Sequence, residues 1–349
     1  MIDLRSDTVT RPTPSMRRAM AAAEVGDDVY REDPTARRLE ELAAATLAFP
    51  AALFVPTGTM GNQVAVHLHT KPGSEVIIEA RGHIANFEMG AMAVWSGALP
   101  RPIVTDSGLL EPAQVEAAIA PNVSYRTPTR LLALENTHNL WSGLPMDAAR
   151  TRALAQVAHA HGLAVHLDGA RIFNAAAALG TTAAELAKSC DTVMFCLSKG
   201  LAAPVGSMLC GSRELIEEAV RVRKLFGGGM RQIGVVAAAG IVALTEMVDR
   251  LPEDHAHARH LAEGLAELAA VEIDPARVRT NIVVFKLHAD RVPGDPALTP
   301  SQRFVAGLAE RGVACGAFGA TEVRMVTHYE VTTADVEAAL VAARQVVRR

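Results

Sequence analysis

Aromatic residues make up only 4% of the 349-residue chain, and there are just 4 cysteines. Cys190, Cys196, Cys210 and Cys315 show no CxxC pair and no metal-type spacing. The first three lie in or beside apolar runs, where a free thiol packs as a small hydrophobe. A disulfide framework is therefore not expected, and a reducing cytoplasm fits. Neither sign of charge dominates: 34 Lys and Arg face 38 Asp and Glu, a formal net charge of -4. That balance, with so few aromatics, argues against nucleic acid as a partner, because phosphate binding needs a basic face. Long apolar runs are missing too. The longest, Ile233 to Leu244, covers 12 positions and includes two glycines, against the ~20 residues that span a bilayer. The opening Met1-Ile-Asp-Leu-Arg5 has no apolar segment behind a basic patch, so no signal peptide is read and no membrane role is expected.

What is present is a globular composition, 50% hydrophobic and 21% charged. The length suggests roughly two domains at ~150 residues each. Leu53-Phe-Val55, Glu75-Val-Ile-Ile78, Leu131-Leu-Ala-Leu134, Leu163-Ala-Val-His-Leu167 and Thr192-Val-Met-Phe-Cys-Leu197 read as strands. Helical stretches alternate with them, the pattern of a mostly parallel, doubly wound α/β sheet. Ala148 to His161 is a predicted helix closed by Gly162 in a left-handed cap, and Asp33-Pro34 opens another. Beyond Pro252 the order becomes αβαβα. This predicts a smaller C-terminal α+β domain over 251–349, after an N-terminal arm and large domain over 1–250. His255, His257 and His260 follow Asp254 there and read as the solvated face of a charged helix.

In an open α/β sheet, ligands gather at the carboxyl ends of strands. Asp168 ends one strand in Val165-His-Leu-Asp-Gly-Ala-Arg171, and Lys199 ends the next in Met194-Phe-Cys-Leu-Ser-Lys-Gly200. Pro56-Thr-Gly-Thr-Met-Gly61 is a third strand end, where a turn opens a helix. Singly, each has an ordinary explanation: a turn aspartate, a surface lysine, a Gly/Thr turn. Together they suggest more. A lysine at the mouth of a buried sheet loses hydration, which favours the neutral, nucleophilic amine. An aspartate one strand over stays ionised if it pairs with a cation, such as a protonated pyridine. The helix start at Gly58 and Thr59 offers N–H groups to a phosphate. An aldehyde, a pyridinium and a phosphate describe pyridoxal 5′-phosphate, PLP.

Longer motifs narrow this further. They are Asp3-Leu-Arg-Ser-Asp-Thr-Val-Thr10, Gly26-Asp-Asp-Val-Tyr30, Pro56-Thr-Gly-Thr59 and Leu134-Glu-Asn-Thr-His-Asn139. His166-Leu-Asp-Gly-Ala-Arg-Ile-Phe-Asn174, Cys196-Leu-Ser-Lys-Gly200, Gly227-Gly-Gly-Met-Arg-Gln232 and Val323-Arg-Met-Val-Thr-His328 complete the set. In this order the chain resembles the low-specificity L-threonine aldolases, PLP enzymes of fold type I in the aspartate aminotransferase-like superfamily. The resemblance implies that Lys199 carries the Schiff base, Asp168 pairs with the pyridine nitrogen and His83 stacks on the ring. Gly58 and Thr59 would hold the phosphate, with Lys224 and Arg231 close by from a neighbouring subunit. Ser6, Arg171 and Arg324 would bind the substrate carboxylate, Arg171 lying at the cofactor as well.

The implied reaction is retro-aldol cleavage of L-threonine or L-allo-threonine to glycine and acetaldehyde. A base must take the β-hydroxyl proton. His83 and a water held by polar groups that include Glu88 are the two candidates. Where family members often have a histidine, this chain reads Val123-Ser-Tyr125. Tyr125 would meet the substrate hydroxyl there, and a phenol of pKa ~10 is a poor base near neutrality. A homo-oligomer, dimer or tetramer, with shared sites is implied, and no metal. The alternatives are another fold-type I PLP enzyme (aminotransferase, β-eliminating lyase or racemase) or a PLP-binding protein without turnover.

Overall fold

A computed structural model of the chain describes residues 1–121 and 123–347, so the last two positions of the expected C-terminal unit lie outside it. The chain opens with β1 (Ile2–Asp3), α1 (Pro14–Ala21) and α2 (Pro34–Leu47). Asp33 caps α2 by accepting from the Ala36 N–H at 2.9 Å, and Pro34 takes the first helical position. Next come β2 (Ala51–Val55), α3 (Gly58–His69), β3 (Glu75–Glu79), α4 (His83–Asn86), α5 (Ala91–Ser96) and β4 (Leu99–Ile103). The alternation continues through α6 (Pro112–Ala118), β5 (Thr129–Glu135), α7 (Ala148–Ala160), β6 (Ala164–Asp168), α8 (Ile172–Leu179), α9 (Ala183–Ala187) and β7 (Thr192–Cys196). β8 (Ser207–Gly211), α10 (Arg213–Leu225) and α11 (Gly234–Val242) follow.

Seven of these strands form one sheet in the order β2-β8-β7-β6-β5-β3-β4. β7, β6, β5, β3 and β4 pair in parallel, whereas β8 runs antiparallel to both β2 and β7. The mostly parallel α/β sheet predicted from the alternation is therefore present. β8 escapes the sequence pattern because no helix precedes it. The link from Cys196 to Ser207 is too short for a parallel crossover, which needs about a dozen residues or more. β4, Leu99-Pro-Arg-Pro-Ile103, escapes it too. Its prolines hold it at the sheet edge, where missing N–H groups interrupt no interior ladder.

The long apolar run becomes α11 and the turn after it, packed on α1 and α2. A helix apolar all round is a buried one. Gly240 permits the approach, since a Cβ there would meet Leu39 at 2.8 Å. Among the described residues, no helix is long and apolar enough to cross a membrane.

The rest comprises α12 (Leu251–Ala266), β9 (Val271–Glu272), β10 (Ile282–Leu287), α13 (Pro300–Ala309), β11 (Val313–Ala314), β12 (Gly316–Ala317), β13 (Glu322–Val326) and α14 (Thr333–Val346). A four-stranded antiparallel sheet, β12-β13-β10-β9, shares a second core around Leu261, Phe285, Phe304 and Leu340. Leu4 joins that core, and β1 pairs with β11. The first residues of the chain thus pack with the C-terminal layer.

One expectation is corrected here. His255 and His257 are not solvated: they are 6% and 8% exposed, because α12 lies between α8 and α14. His255 pairs with Asn174 at 3.2 Å and His257 with Thr333 at 3.2 Å, while His260, its side chain 43% exposed, pairs with Glu337. Burial pushes the His255 pKa down to about 4.

Candidate active site

The carboxyl ends of β6 and β7 and the start of α3 meet at a cavity of about 310 Å³, whose wall includes Gly58, Thr59, His83, Asp168 and Lys199. A wider surface groove of about 750 Å³ beside β2, lined by Arg31, Glu40 and Arg213 among others, holds none of the expected site residues. The three strand ends picked out in the sequence are therefore neighbours in space.

Glycine sets the position of α3. A Cβ on Gly61 would meet Met194 at 2.6 Å, and one on Gly58 would meet the Cys196 sulfur at 2.9 Å. The helix start is thereby held against the end of β7. Thr57 is the N-cap and accepts from the Met60 N–H at 3.1 Å. The N–H groups of Gly58 and Thr59 belong to the uncapped part of the first turn, which favours an anion.

Asp168 is 2% exposed at the end of β6. Its Oδ1 accepts from the Ala170 N–H at 3.1 Å and its Oδ2 from Asn62 Nδ2 at 2.8 Å. The same Asn62 nitrogen donates to Glu88 Oε1 at 2.7 Å, and Gln63 donates to Glu88 Oε2 at 2.6 Å. His83 lies across from these groups, its Nδ1 3.0 Å from Glu88 Oε1. A carboxylate only accepts, so Nδ1 carries the hydrogen and Nε2 is the nitrogen open to proton exchange. Burial by itself would lower the His83 pKa. The Glu88 hydrogen bond and the charges of Asp168 and Glu88 outweigh it, and the net shift is upward.

His83, Glu88 and Asp168 offer atoms within 4.8 Å of one another, the composition of a metal site. The amide hydrogens of Asn62 and Gln63 are directed at those same carboxylate oxygens, which suits hydrogen bonding rather than coordination.

A second group of charges lies outside the cavity wall, near enough for Lys199 to act on Asp7. Asp7 and Arg171 are joined by two bonds, and Asn281 also donates to Asp7 at 3.1 Å. Arg324, on β13, donates to Asn139 Oδ1 at 2.9 Å, and Arg171 Nη1 reaches the same oxygen at 3.4 Å. Two buried guanidinium groups thus share one amide oxygen, while only Arg171 is paired with the Asp7 carboxylate. Burial, with the charge of Arg171, lowers the Arg324 pKa to about 10. Its Nε is buried with no hydrogen-bond partner among the described residues. An anionic ligand with two oxygens suits this pair.

Other expected residues fall elsewhere. Ser6 caps the turn Asp7–Val9, accepting from the Thr8 N–H at 3.2 Å. Lys224 and Arg231 are exposed and do not line the cavity of their own chain; Arg231 pairs with Asp27 at 2.9 Å. Tyr125 stands 84% exposed between α6 and β5 and likewise does not line the cavity of its own chain. Sequence reasoning passed over Asn62, Gln63, Asp7 as a counter-ion, Glu135 and His166. Glu135 accepts from the N–H groups of both His83 (2.7 Å) and Asn139 (2.8 Å), which ties the two halves of the site together. Two amides inside an apolar helix, and a histidine inside an apolar strand, were the available signals.

A β-eliminating lyase family profile matches residues 3–288. Low-specificity L-threonine aldolase 1 of Arabidopsis thaliana is 44% identical over 339 residues, covering 96% of this chain and 93% of that protein. The low specificity L-threonine aldolase of Escherichia coli (strain K12) is 46% identical over 288 residues, 82% of this chain and 85% of that one. Among solved structures, a Leishmania major threonine aldolase superposes with a TM-score of 0.82 at 18% identity, covering 99% of each chain, and so shares the fold. With a buried Asp168 and Lys199 on neighbouring strand ends and a matching sequence along nearly its whole length, the chain belongs to the β-eliminating lyase family, among the low-specificity L-threonine aldolases.

Proposed function

We propose that this chain is a PLP-dependent aldehyde-lyase that cleaves L-threonine and L-allo-threonine to glycine and acetaldehyde. The observation that carries the reading is one cavity that brings together Lys199, the buried Asp168 and the start of α3. Those residues fit the cofactor. Lys199 would hold its aldehyde carbon, Asp168 its pyridine nitrogen, and Gly58 and Thr59 its phosphate. Bound there, PLP supplies an electron sink for the electron pair released at Cα.

The chain's own residues do the rest. Arg324, with Arg171 and Ser6 beside it, would clamp the substrate carboxylate and so set which bond at Cα stands ready to break. His83, its ring fixed by Glu88, would take the β-hydroxyl proton at Nε2. Glu88 itself is a poor holder for a water: its side chain has no exposed surface, and its oxygens already accept from Asn62, Gln63 and His83. Tyr125, exposed and outside its own cavity, would meet a substrate hydroxyl only from a second copy. Lys224 and Arg231 would approach the phosphate from a second copy. The exposed Phe87, Met89, Val94 and Leu225, with Trp95 stacked on Phe226 at 4.4 Å, support such a homo-oligomer, dimer or tetramer.

Two further expectations belong to this reading. The chain would work as a cofactor-binding unit to about residue 250 and a smaller unit that brings Arg324. A reducing cytoplasm suits its four buried free thiols. The deciding assay feeds L-threonine, L-allo-threonine and the D-isomers with PLP and measures acetaldehyde. Keto acid formed only when a second keto acid is supplied would overturn the proposal in favour of an aminotransferase.

A further inference from the structure

Resting on the PLP reading above, we propose that Asn62 is a positioning residue that keeps Asp168 the anionic partner of the pyridine nitrogen, its amide locked by a one-way hydrogen-bond chain from His69 through Thr192 and His166. Asn62 sits on the inner face of α3, 1% exposed. Its Nδ2 donates to Asp168 Oδ2 at 2.8 Å and to Glu88 Oε1 at 2.7 Å, which uses both of its hydrogens.

That placement answers an electrostatic problem. Asp168 and Glu88 are buried close together, and two carboxylates in a low-dielectric site repel each other unless donors stand between them. Glu88 already has Gln63 and His83 as donors. Asp168 has the Ala170 N–H, with Lys199 on the cavity wall nearby. A shared amide between the two carboxylates offsets their repulsion. Without it, Asp168 would lose its side-chain donor and face Glu88 unscreened, a weaker counter-ion.

The orientation of the amide can be deduced. Asn62 Oδ1 is only an acceptor, and it lies 3.1 Å from His166 Nε2, so His166 carries its hydrogen on Nε2. His166 is fully buried, and that burial pushes its pKa down to about 3, so the ring is neutral and Nδ1 is bare. Nδ1 accepts from the Thr192 hydroxyl at 3.0 Å, which spends the one hydrogen Thr192 has. Thr192 Oγ1 must then accept from His69 Nε2 at 2.9 Å. Every donor in the chain points toward Asn62. A flipped amide would aim its oxygen at two carboxylates and break the bond to His166. The two carboxylates thus select the orientation, and the chain through His166, Thr192 and His69 completes it.

The test compares PLP with its 1-deaza analogue, in which a CH replaces the ring nitrogen. Dissociation constants are measured by equilibrium dialysis for the wild type, Asn62→Ala and Thr192→Val. The wild type should bind PLP more tightly than the analogue. Asn62→Ala should weaken PLP binding roughly ten- to hundredfold, the worth of one charge-assisted hydrogen bond, while hardly changing the analogue. Thr192→Val, close in shape, keeps Asn62 but breaks its lock and should show the same loss in smaller measure, so the proposal stays testable if Asn62→Ala does not fold. A structural role for Asn62 would weaken both ligands equally. Equal weakening, or a wild type that binds both ligands alike, would overturn the inference. A wild type that binds neither would instead overturn the PLP reading on which it rests.

Discussion

Asp7 and Arg171 face each other through two parallel bonds, Nε to Oδ2 and Nη2 to Oδ1, both 2.7 Å long. Their side chains are 0% and 4% exposed. Burial would raise the Asp7 pKa, but the adjacent Arg171 guanidinium more than reverses this and holds the carboxyl well below its usual range. The pair joins the N-terminal arm to the start of α8. It also leaves only part of the Arg171 fork for the substrate carboxylate proposed above.

Asp7→Asn would leave the Arg171 cation buried without its counter-charge. Opening a buried pair from one side costs about 3–5 kcal/mol, so the urea midpoint should fall. Adding Arg171→Met should restore part of the loss, because no unpaired charge then remains inside. Equal stability of wild type and Asp7→Asn would refute this account of the arm.

Arg324, whose Nε has no hydrogen-bond partner among the described residues, is the main member of the proposed carboxylate clamp. Arg324→Ala should lower kcat/KM for L-threonine by roughly 30- to 150-fold, the equivalent of about 2–3 kcal/mol for a charged hydrogen bond. Threonine amide, which has no carboxylate, should be affected far less. The same loss on both substrates would count against a carboxylate contact.

His83→Phe should keep the visible absorbance of bound cofactor while cleavage slows by roughly 10²–10⁴-fold, the usual size of general-base catalysis. The base must be neutral, and Glu88 raises the His83 pKa. The acid limb of kcat/KM should therefore lie above the ordinary histidine value of 6.5 and move to lower pH in Glu88→Gln. An unmoved limb would separate Glu88 from the titrating group.

Acid should weaken the fold through His166 and His255, whose folded pKa values are pushed down to about 3 and about 4 from 6.5. Above 6.5 both states are neutral and the stability is present. As pH falls from there toward 4, the unfolded chain takes up protons that the folded chain refuses. Each group then removes up to about 1.4 kcal/mol per pH unit. His83 and His138, with raised values, act in the opposite sense as pH rises through their folded pKa values. Melting temperature followed against pH should fall less steeply in His255→Gln than in wild type over this window. Identical slopes would rule out His255 as a contributor.

Much of the architecture was legible because its cues are local. Asp33-Pro34 caps α2, Gly162 takes a positive φ of 71° after α7, and the apolar strands of the parallel sheet lie where their runs predict. β8 was not legible, since a short antiparallel return leaves no helix to announce it. Nor was the burial of His255 and His257, which comes from α8 and α14 packing on both sides of α12. A charged stretch of helix reads as solvated until its neighbours are known.

The site divides in the same way. Asp168, Lys199, Gly58 and Thr59 could be read from the sequence alone, because strand-end position and residue type are local properties and ligand chemistry follows from them. What each side chain shares its protons with was decided by tertiary structure. Asn62 meets Glu88 across 26 positions and Asp168 across 106, and Arg171 meets Asp7 across 164. Hydrogen bonds and ion pairs inside a low-dielectric core depend on which elements pack together, and no local pattern encodes that. The sequence determined the family and singled out the candidate reacting groups; folding determined which side chains share hydrogen bonds and charges with them.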